Sequence, residues 1–300
     1  MPAAVAGMSE VREALSAAVD ALAAVGVEDP RLDAELLLGG AMGCRRAALI
    51  ADPAAAVPAP AARAFGEMVR RRLRREPVAY ILGTKGFRRL ELAVDRHVLI
   101  PRPETESLVE VALERRPDRV LDVGTGSGAI ALAVADELPG CEVTATDTSP
   151  GALEVARANA ERLGLADRVR FISGSLPASG EFDLILANLP YVAERDWPSL
   201  QPEVTQWEPR EALLGGPDGL DAYRGLFSDR GRGLSFYPRQ TSTASAPETS
   251  SAPISTPVVA VEVGEGQAPA VAELVRAAGF GRVETRRDLA GIERIVVGGR

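Results

Sequence analysis

Seven consecutive residues, Asp122-Val123-Gly124-Thr125-Gly126-Ser127-Gly128, constrain the fold of this chain more than any others. They begin within a short strand-like run at 120–123 and precede a helical stretch at 129–138. Alternate glycines let the backbone take dihedrals barred to other residues and come close to a ligand, so the loop belongs between a strand and a helix. The downstream sequence keeps that alternation. Residues 142–146 read as a strand, and Ser149 caps a helix that has Pro150 at its first position and runs to 163. Strands are expected over 169–172, 184–187, 258–263 and 295–297, with a last helix over 268–278. Such alternation predicts an α/β fold built on a doubly wound, Rossmann-like, mostly parallel sheet.

The N-terminal part differs. Val11, Leu15, Val19 and Leu22 recur at helical spacing up to Gly26, Asp29-Pro30 opens a second helix, and residues 61–75 form a third. Residues 1–77 are therefore expected to form a small helical bundle, 78–104 a hairpin-like linker with its strands over 90–99, and 105–300 the α/β domain. The third helix ends in Arg70-Arg71-Arg72-Leu73-Arg74-Arg75, which is either a solvated face favoured by the helix dipole or a docking patch for an acidic partner. Residues 229–256 are rich in Ser, Thr, Pro, Arg and Gly without period, and are expected to form an irregular insertion where a helix would cover the sheet.

Composition excludes several functions. A net charge of −8 argues against a general nucleic-acid binder. Cys44 and Cys141 lie far apart and His97 is the only histidine, so neither a metal site nor a histidine triad is expected. No basic, apolar leader and no run of about 18 apolar residues stands out, which predicts a cytoplasmic chain with no membrane contact.

Two motifs carry the chemistry. The glycine loop also fits a dinucleotide pattern. However, Asp122 places a carboxylate where a cationic amino-acid end would be welcome and a pyrophosphate repelled. Asp147 ends the second strand of the α/β domain, where an acid binds ribose hydroxyls. Both favour S-adenosylmethionine. The second motif, Asn188-Leu189-Pro190-Tyr191, ends the apolar strand 184–187 at the carboxyl edge where open α/β sheets bind ligands. Asn188 Oδ1 and the Leu189 carbonyl can each accept one hydrogen of a planar NH2 group, and Tyr191 can stack on its plane. Methyl transfer to an amide or amino nitrogen is the expected reaction.

These residues resemble the HemK/PrmC family of protein-(glutamine-N5) methyltransferases. So do Pro30-Arg31-Leu32-Asp33-Ala34-Glu35, Pro77-Val78-Ala79-Tyr80-Ile81-Leu82-Gly83, Leu99-Ile100-Pro101-Arg102-Pro103-Glu104-Thr105-Glu106, Glu208-Pro209-Arg210 and Glu262-Val263-Gly264-Glu265-Gly266-Gln267. The resemblance implies a methyltransferase domain behind a helical domain that recognises peptide-chain release factors and methylates the glutamine of their Gly-Gly-Gln motif. It implies S-adenosylmethionine held by Asp122, Gly124, Thr125, Gly126, Ser127, Gly128 and Asp147, with Asn188 near the methyl. Asn188, Leu189, Pro190 and Tyr191 would hold the glutamine, and Arg102 and Glu104 would border the cleft. A monomer is expected. Three departures stand out. Leu189 replaces a family proline, so the turn is expected to be softer. Leu176, after Gly174-Ser175, offers only apolar contact near the adenine. The 229–256 segment replaces a helix. The alternatives are a DNA adenine amino-methyltransferase, disfavoured by charge, a catalytically weakened release-factor-binding module, and a dinucleotide oxidoreductase.

Overall fold

The computed structural model describes residues 10–176, 181–228 and 258–299. In chain order the elements begin with α1 (Val11–Ala24), α2 (Pro30–Met42), α3 (Arg46–Ala51), α4 (Ala59–Leu73) and α5 (Val78–Leu82). Next come β1 (Thr84–Phe87), β2 (Leu90–Ala93), α6 (Glu106–Arg115), β3 (Arg119–Val123), α7 (Ala129–Glu137), β4 (Glu142–Asp147), α8 (Pro150–Arg162), β5 (Val169–Ser173) and β6 (Leu184–Ala187). The chain then runs through α9 (Pro202–Trp207), α10 (Asp221–Phe227), β7 (Val258–Glu262), α11 (Ala268–Ala277), β8 (Arg282–Arg287) and β9 (Glu293–Gly299). Two compact units result: Met1–Thr84 with Gln201–Trp207, and Lys85–Leu200 with Glu208–Arg300. The irregular segment expected over 229–256 lies outside the described residues.

The first unit is the helical bundle. Val11, Leu15, Leu22, Leu37, Leu38 and Phe65 close its core, each from the apolar stripe of an amphipathic helix. The arginine run is largely consumed inside the unit. Arg72 is buried and donates to Asp33 and Glu203, Arg75 donates to Glu203, Arg71 to Glu76, and Arg70 to Glu67. Of the run, Arg70 and Arg74 stay exposed. A buried guanidinium must be paired, and α9 supplies the partner, so the run is a structural staple rather than the docking patch that its charge suggests.

The second unit is built on a seven-stranded sheet in the order β5-β4-β3-β6-β7-β9-β8. The first five strands are parallel, and β9 and β8 join antiparallel at the far edge. Leu121, Val123, Ile185, Val259 and Val261 face one core cluster, while Val120, Leu184, Leu186 and Ala260 face the other. Strands covered on both faces are apolar throughout, as β6 is. Helix α10 puts Tyr223 and Leu226 into the core beside β7, which supplies cover that the sequence pattern left unaccounted for. Strand β8 was not expected, because its residues are mostly polar.

The hairpin lies earlier than 90–99: β1 and β2 flank a turn in which Arg88 takes φ +52°. That left-handed residue is held by its N–H on Glu106 and its guanidinium on Glu137. After the hairpin, Glu208 accepts from the Ile100 N–H and from Arg102, which fixes the Pro101-Arg102-Pro103 segment.

One buried side chain ties these parts together. Asn159 of α8 accepts from the Ala93 N–H (2.7 Å) and donates to the Ala93 and Ser127 carbonyls (both 2.9 Å), so it joins β2 to the glycine loop. Replacing it by alanine would leave three backbone groups, one of them buried, without this partner. Asn159→Ala is expected to lower unfolding stability by about 3 kcal/mol in urea titrations, and a loss below about 1 kcal/mol would show that the link is not needed.

Candidate functional site

The sheet order reverses between β3 and β6, and this is where a doubly wound fold leaves a crevice at the strands' carboxyl ends. A cleft of about 770 Å³, including its open mouth, lies there. Its wall includes Gly124 and Gly126 after β3, Asp147 after β4, Gly174 and Ser175 after β5, and Asn188, Leu189 and Pro190 after β6.

The loop turns its backbone to the cleft and its side chains away from it. Gly128 sits at φ +84° at the start of α7, and a Cβ there would stand 2.9 Å from Leu132, so only glycine fits. Gly126 has φ +56°, and an added Cβ would meet no protein atom within 4 Å, because that space opens into the cleft. Thr125 and Ser127 are buried, with the Thr125 hydroxyl on Asp122 (2.6 Å) and the Ser127 carbonyl on Asn159.

Asp122 does not face the cleft. It is fully buried beneath the loop, where Oδ2 accepts from Thr125 and from the Ala131 N–H while Oδ1 has no partner. Burial pushes its carboxyl up to about 7, against the pull of those two hydrogen bonds. Its role is to brace the loop, because the side chain of the last-but-one strand residue alternates into the core. Asp147 does line the cleft. Its oxygens accept from the Gly126 N–H (2.9 Å) and the Ser149 N–H (2.8 Å), which aims the carboxylate and ties two loops together. Leu176 is absent from the wall and packs against the core around Leu121 and Val123, since its side chain is apolar; Gly174 and Ser175 stand at the wall instead.

The turn after β6 is held on several sides. Asn188 Nδ2 donates to Thr105 Oγ1 at 2.9 Å, and no described residue donates to Asn188 Oδ1 or to the Leu189 carbonyl. The Leu189 side chain reaches to 3.4 Å from where a Gly124 Cβ would stand. The Tyr191 carbonyl accepts from Gln267 Nε2 (2.8 Å), and Gln267 Oε1 accepts from the Gly264 N–H. Gly215 packs so closely under Pro190 that a Cβ would fall 2.5 Å from its carbonyl oxygen. Side-chain packing and backbone hydrogen bonds thus hold the turn from several sides where the proline at 189 is missing. Tyr191 lies outside the cleft wall, half-buried against the core, with its hydroxyl 3.5 Å from Glu262 Oε1; burial pushes the phenol up to about 12.

Sequence reasoning missed three contributors. His97 lines the cleft and packs over Gly151, where a Cβ would sit 2.9 Å from its ring. Thr105 accepts from Asn188, and Glu262 stands behind the Tyr191 hydroxyl; both belong to segments distant in sequence, and only their place in the family segments singled them out. Arg102 and Glu104 lie close enough to influence the Tyr191 phenol, Arg102 lowering it and Glu104 raising it.

The residues present fit S-adenosylmethionine. Bare glycine backbone leaves room for the ligand, and Asp147 offers an acceptor to hydroxyls at the end of β4. Among the described residues no three His, Cys, Asp or Glu side chains cluster as a metal site, and no helix is long and apolar enough to cross a membrane.

Comparison with known proteins agrees with this geometry. Residues 13–83 match the PrmC N-terminal domain family and residues 120–207 match a methyltransferase domain family. The release factor glutamine methyltransferase of Caulobacter vibrioides is 39% identical over 95% of this chain and 95% of its own length. That of Rhodospirillum rubrum is 42% identical over 93% of this chain and 82% of its own length. Among solved structures, the hMettl16 catalytic domain superposes with a TM-score of 0.50 at 15% identity, covering 69% of this chain and 74% of that one, a likeness of fold alone. On the strength of the full-length relatives, the chain belongs to the HemK/PrmC family of release factor glutamine methyltransferases.

Proposed function

We propose that this protein transfers a methyl group from S-adenosylmethionine to the side-chain amide nitrogen, N5, of the glutamine in the Gly-Gly-Gln motif of peptide-chain release factors. The observation that carries it is the end of β6, where Asn188 spends its NH2 on Thr105 and leaves Oδ1 and the Leu189 carbonyl unengaged at the cleft.

When bound, the cofactor supplies an electrophilic methyl on a sulfonium sulfur. Asp147 would hold its ribose, and the Gly124 to Gly128 backbone would cradle the rest. Asn188 Oδ1 and the Leu189 carbonyl would each accept one hydrogen of the substrate NH2. An amide nitrogen is a weak nucleophile because its lone pair is delocalised, so the gain comes from fixing its orientation. The same two oxygens favour the positive charge that develops on nitrogen, and the methylated nitrogen then gives up one proton to solvent to become the neutral secondary amide, so no strong base is needed at the start. The exposed part of Tyr191 would stack on the amide plane. The helical unit would recognise the release factor, and the protein would act as a cytoplasmic monomer with no direct contact to nucleic acid or membrane.

Incubation with a purified release factor and S-adenosylmethionine is expected to add one methyl to the Gly-Gly-Gln tryptic peptide by mass spectrometry. No methylation of that peptide would refute the proposal. Asn188→Ala should lower kcat by about 100-fold or more and leave cofactor affinity within about twofold. Asp147→Ala should instead weaken cofactor binding by about tenfold in calorimetry, the loss expected of a charge-assisted hydrogen bond. An exchange of these two phenotypes would reverse the assignments.

A further inference from the structure

The segment that leads from β2 to Pro101 is pinned at two points and raised between them. Val94 and Val98 are buried, and the Val98 N–H donates to the Asp95 carbonyl at 3.1 Å, so Asp95, Arg96 and His97 form a tight turn at the surface. Asp95 Oδ1 accepts from the His97 N–H (2.9 Å) and from the ring Nδ1–H (3.0 Å), the way an aspartate side chain shapes a turn two residues on. Both side chains are more than half exposed, 58% for His97 and 53% for Asp95, yet the imidazole is held in one orientation. A side chain held this firmly over a cleft, and not buried by the fold, has room to be covered by something else.

The seat of the ring is Gly151. An added Cβ there would stand 2.9 Å from Cδ2 and 3.1 Å from Cγ of His97, so the imidazole lies on the bare backbone of the first turn of α8. Glycine is a poor helix former, and its place in this helix keeps the seat open. The same turn belongs to the cleft. Thr148, Ser149 and Ala152 line it together with His97, and the Ser149 N–H holds Asp147. Asp147 ends the second strand of the α/β domain, the place of the acid that takes ribose hydroxyls, so the residues after it flank the nucleoside. We infer that His97 is a cofactor-binding residue: its imidazole, seated on Gly151 and turned by Asp95, covers the nucleoside end of S-adenosylmethionine. A flat aromatic ring suits that task, because it gains from the face of a base or sugar without needing a matched donor or acceptor. The inference rests on the cofactor assigned above and is independent of the methyl acceptor.

Calorimetry tests this without turnover, using S-adenosylhomocysteine and methylthioadenosine, which keeps the nucleoside and lacks the amino-acid end. His97→Ala is expected to weaken both ligands by at least about fivefold and by the same factor, the low end of what an aromatic contact with a base is worth. His97→Phe keeps a flat ring and should stay within about twofold of the wild type. Gly151→Ala should reproduce the loss, because its methyl unseats the ring while favouring the helix. The double variant should bind no worse than His97→Ala alone, since the two changes remove one contact. Wild-type affinity in His97→Ala or in Gly151→Ala, equal losses for the alanine and phenylalanine variants, or a loss confined to S-adenosylhomocysteine would overturn the inference. If the wild type binds neither ligand, the cofactor assignment itself fails. If it binds both and methylates no release factor, only the proposed acceptor is wrong, and the comparison of variants still decides the role of His97.

Discussion

A carboxamide recognises another carboxamide only if donor meets acceptor, and the site at the end of β6 depends on that single alignment. Asn188 reaches the cleft from the end of β6, while Thr105, from the turn before α6, and Glu262, from the end of β7, are buried behind that turn. Three segments widely separated in sequence meet because the sheet places β6 between β3 and β7. The cofactor loop leaves β3 one strand away, so methyl donor and acceptor are brought together by the sheet order itself. Little of this relies on flexible loops: the Asn188–Tyr191 turn is clamped by Gln267 and packed against Gly124 and Gly215.

The buried polar groups serve the same end. Asp122, Asn159 and Glu262 each cost desolvation, and each is placed beneath a backbone segment that must hold a shape. Asp122 braces the glycine loop from below through Thr125 and the Ala131 N–H. Asn159 holds the same loop from the side through the Ser127 carbonyl. A core of leucine and valine would pack those positions as well, but would leave the loop's hydrogen bonds unmet.

The parts legible in the sequence are those whose physics is local. A strand, a glycine loop and a helix start each announce themselves within a few residues, so the α/β alternation and the Asn188 turn could be read directly. Strand β8, with Arg282, Glu284, Arg286 and Arg287 on an edge that faces solvent, lacks the apolar signal that marked the buried strands. The arginine run of α4 looked like a surface patch because its partners, Asp33 and Glu203, come from distant segments. Asp122 was assigned to the cleft by motif, whereas strand alternation turns it beneath the loop. Thr105 sat within a family segment, yet nothing in that segment alone states that it meets Asn188.

The most direct test of the central claim is a crystal structure of the protein with the demethylated cofactor product and a Gly-Gly-Gln peptide. The glutamine nitrogen should lie about 3 Å from both Asn188 Oδ1 and the Leu189 carbonyl oxygen, with Asn188 Nδ2 still on Thr105. A glutamine bound elsewhere, or an Asn188 amide turned so that its NH2 faces the peptide, would contradict the account.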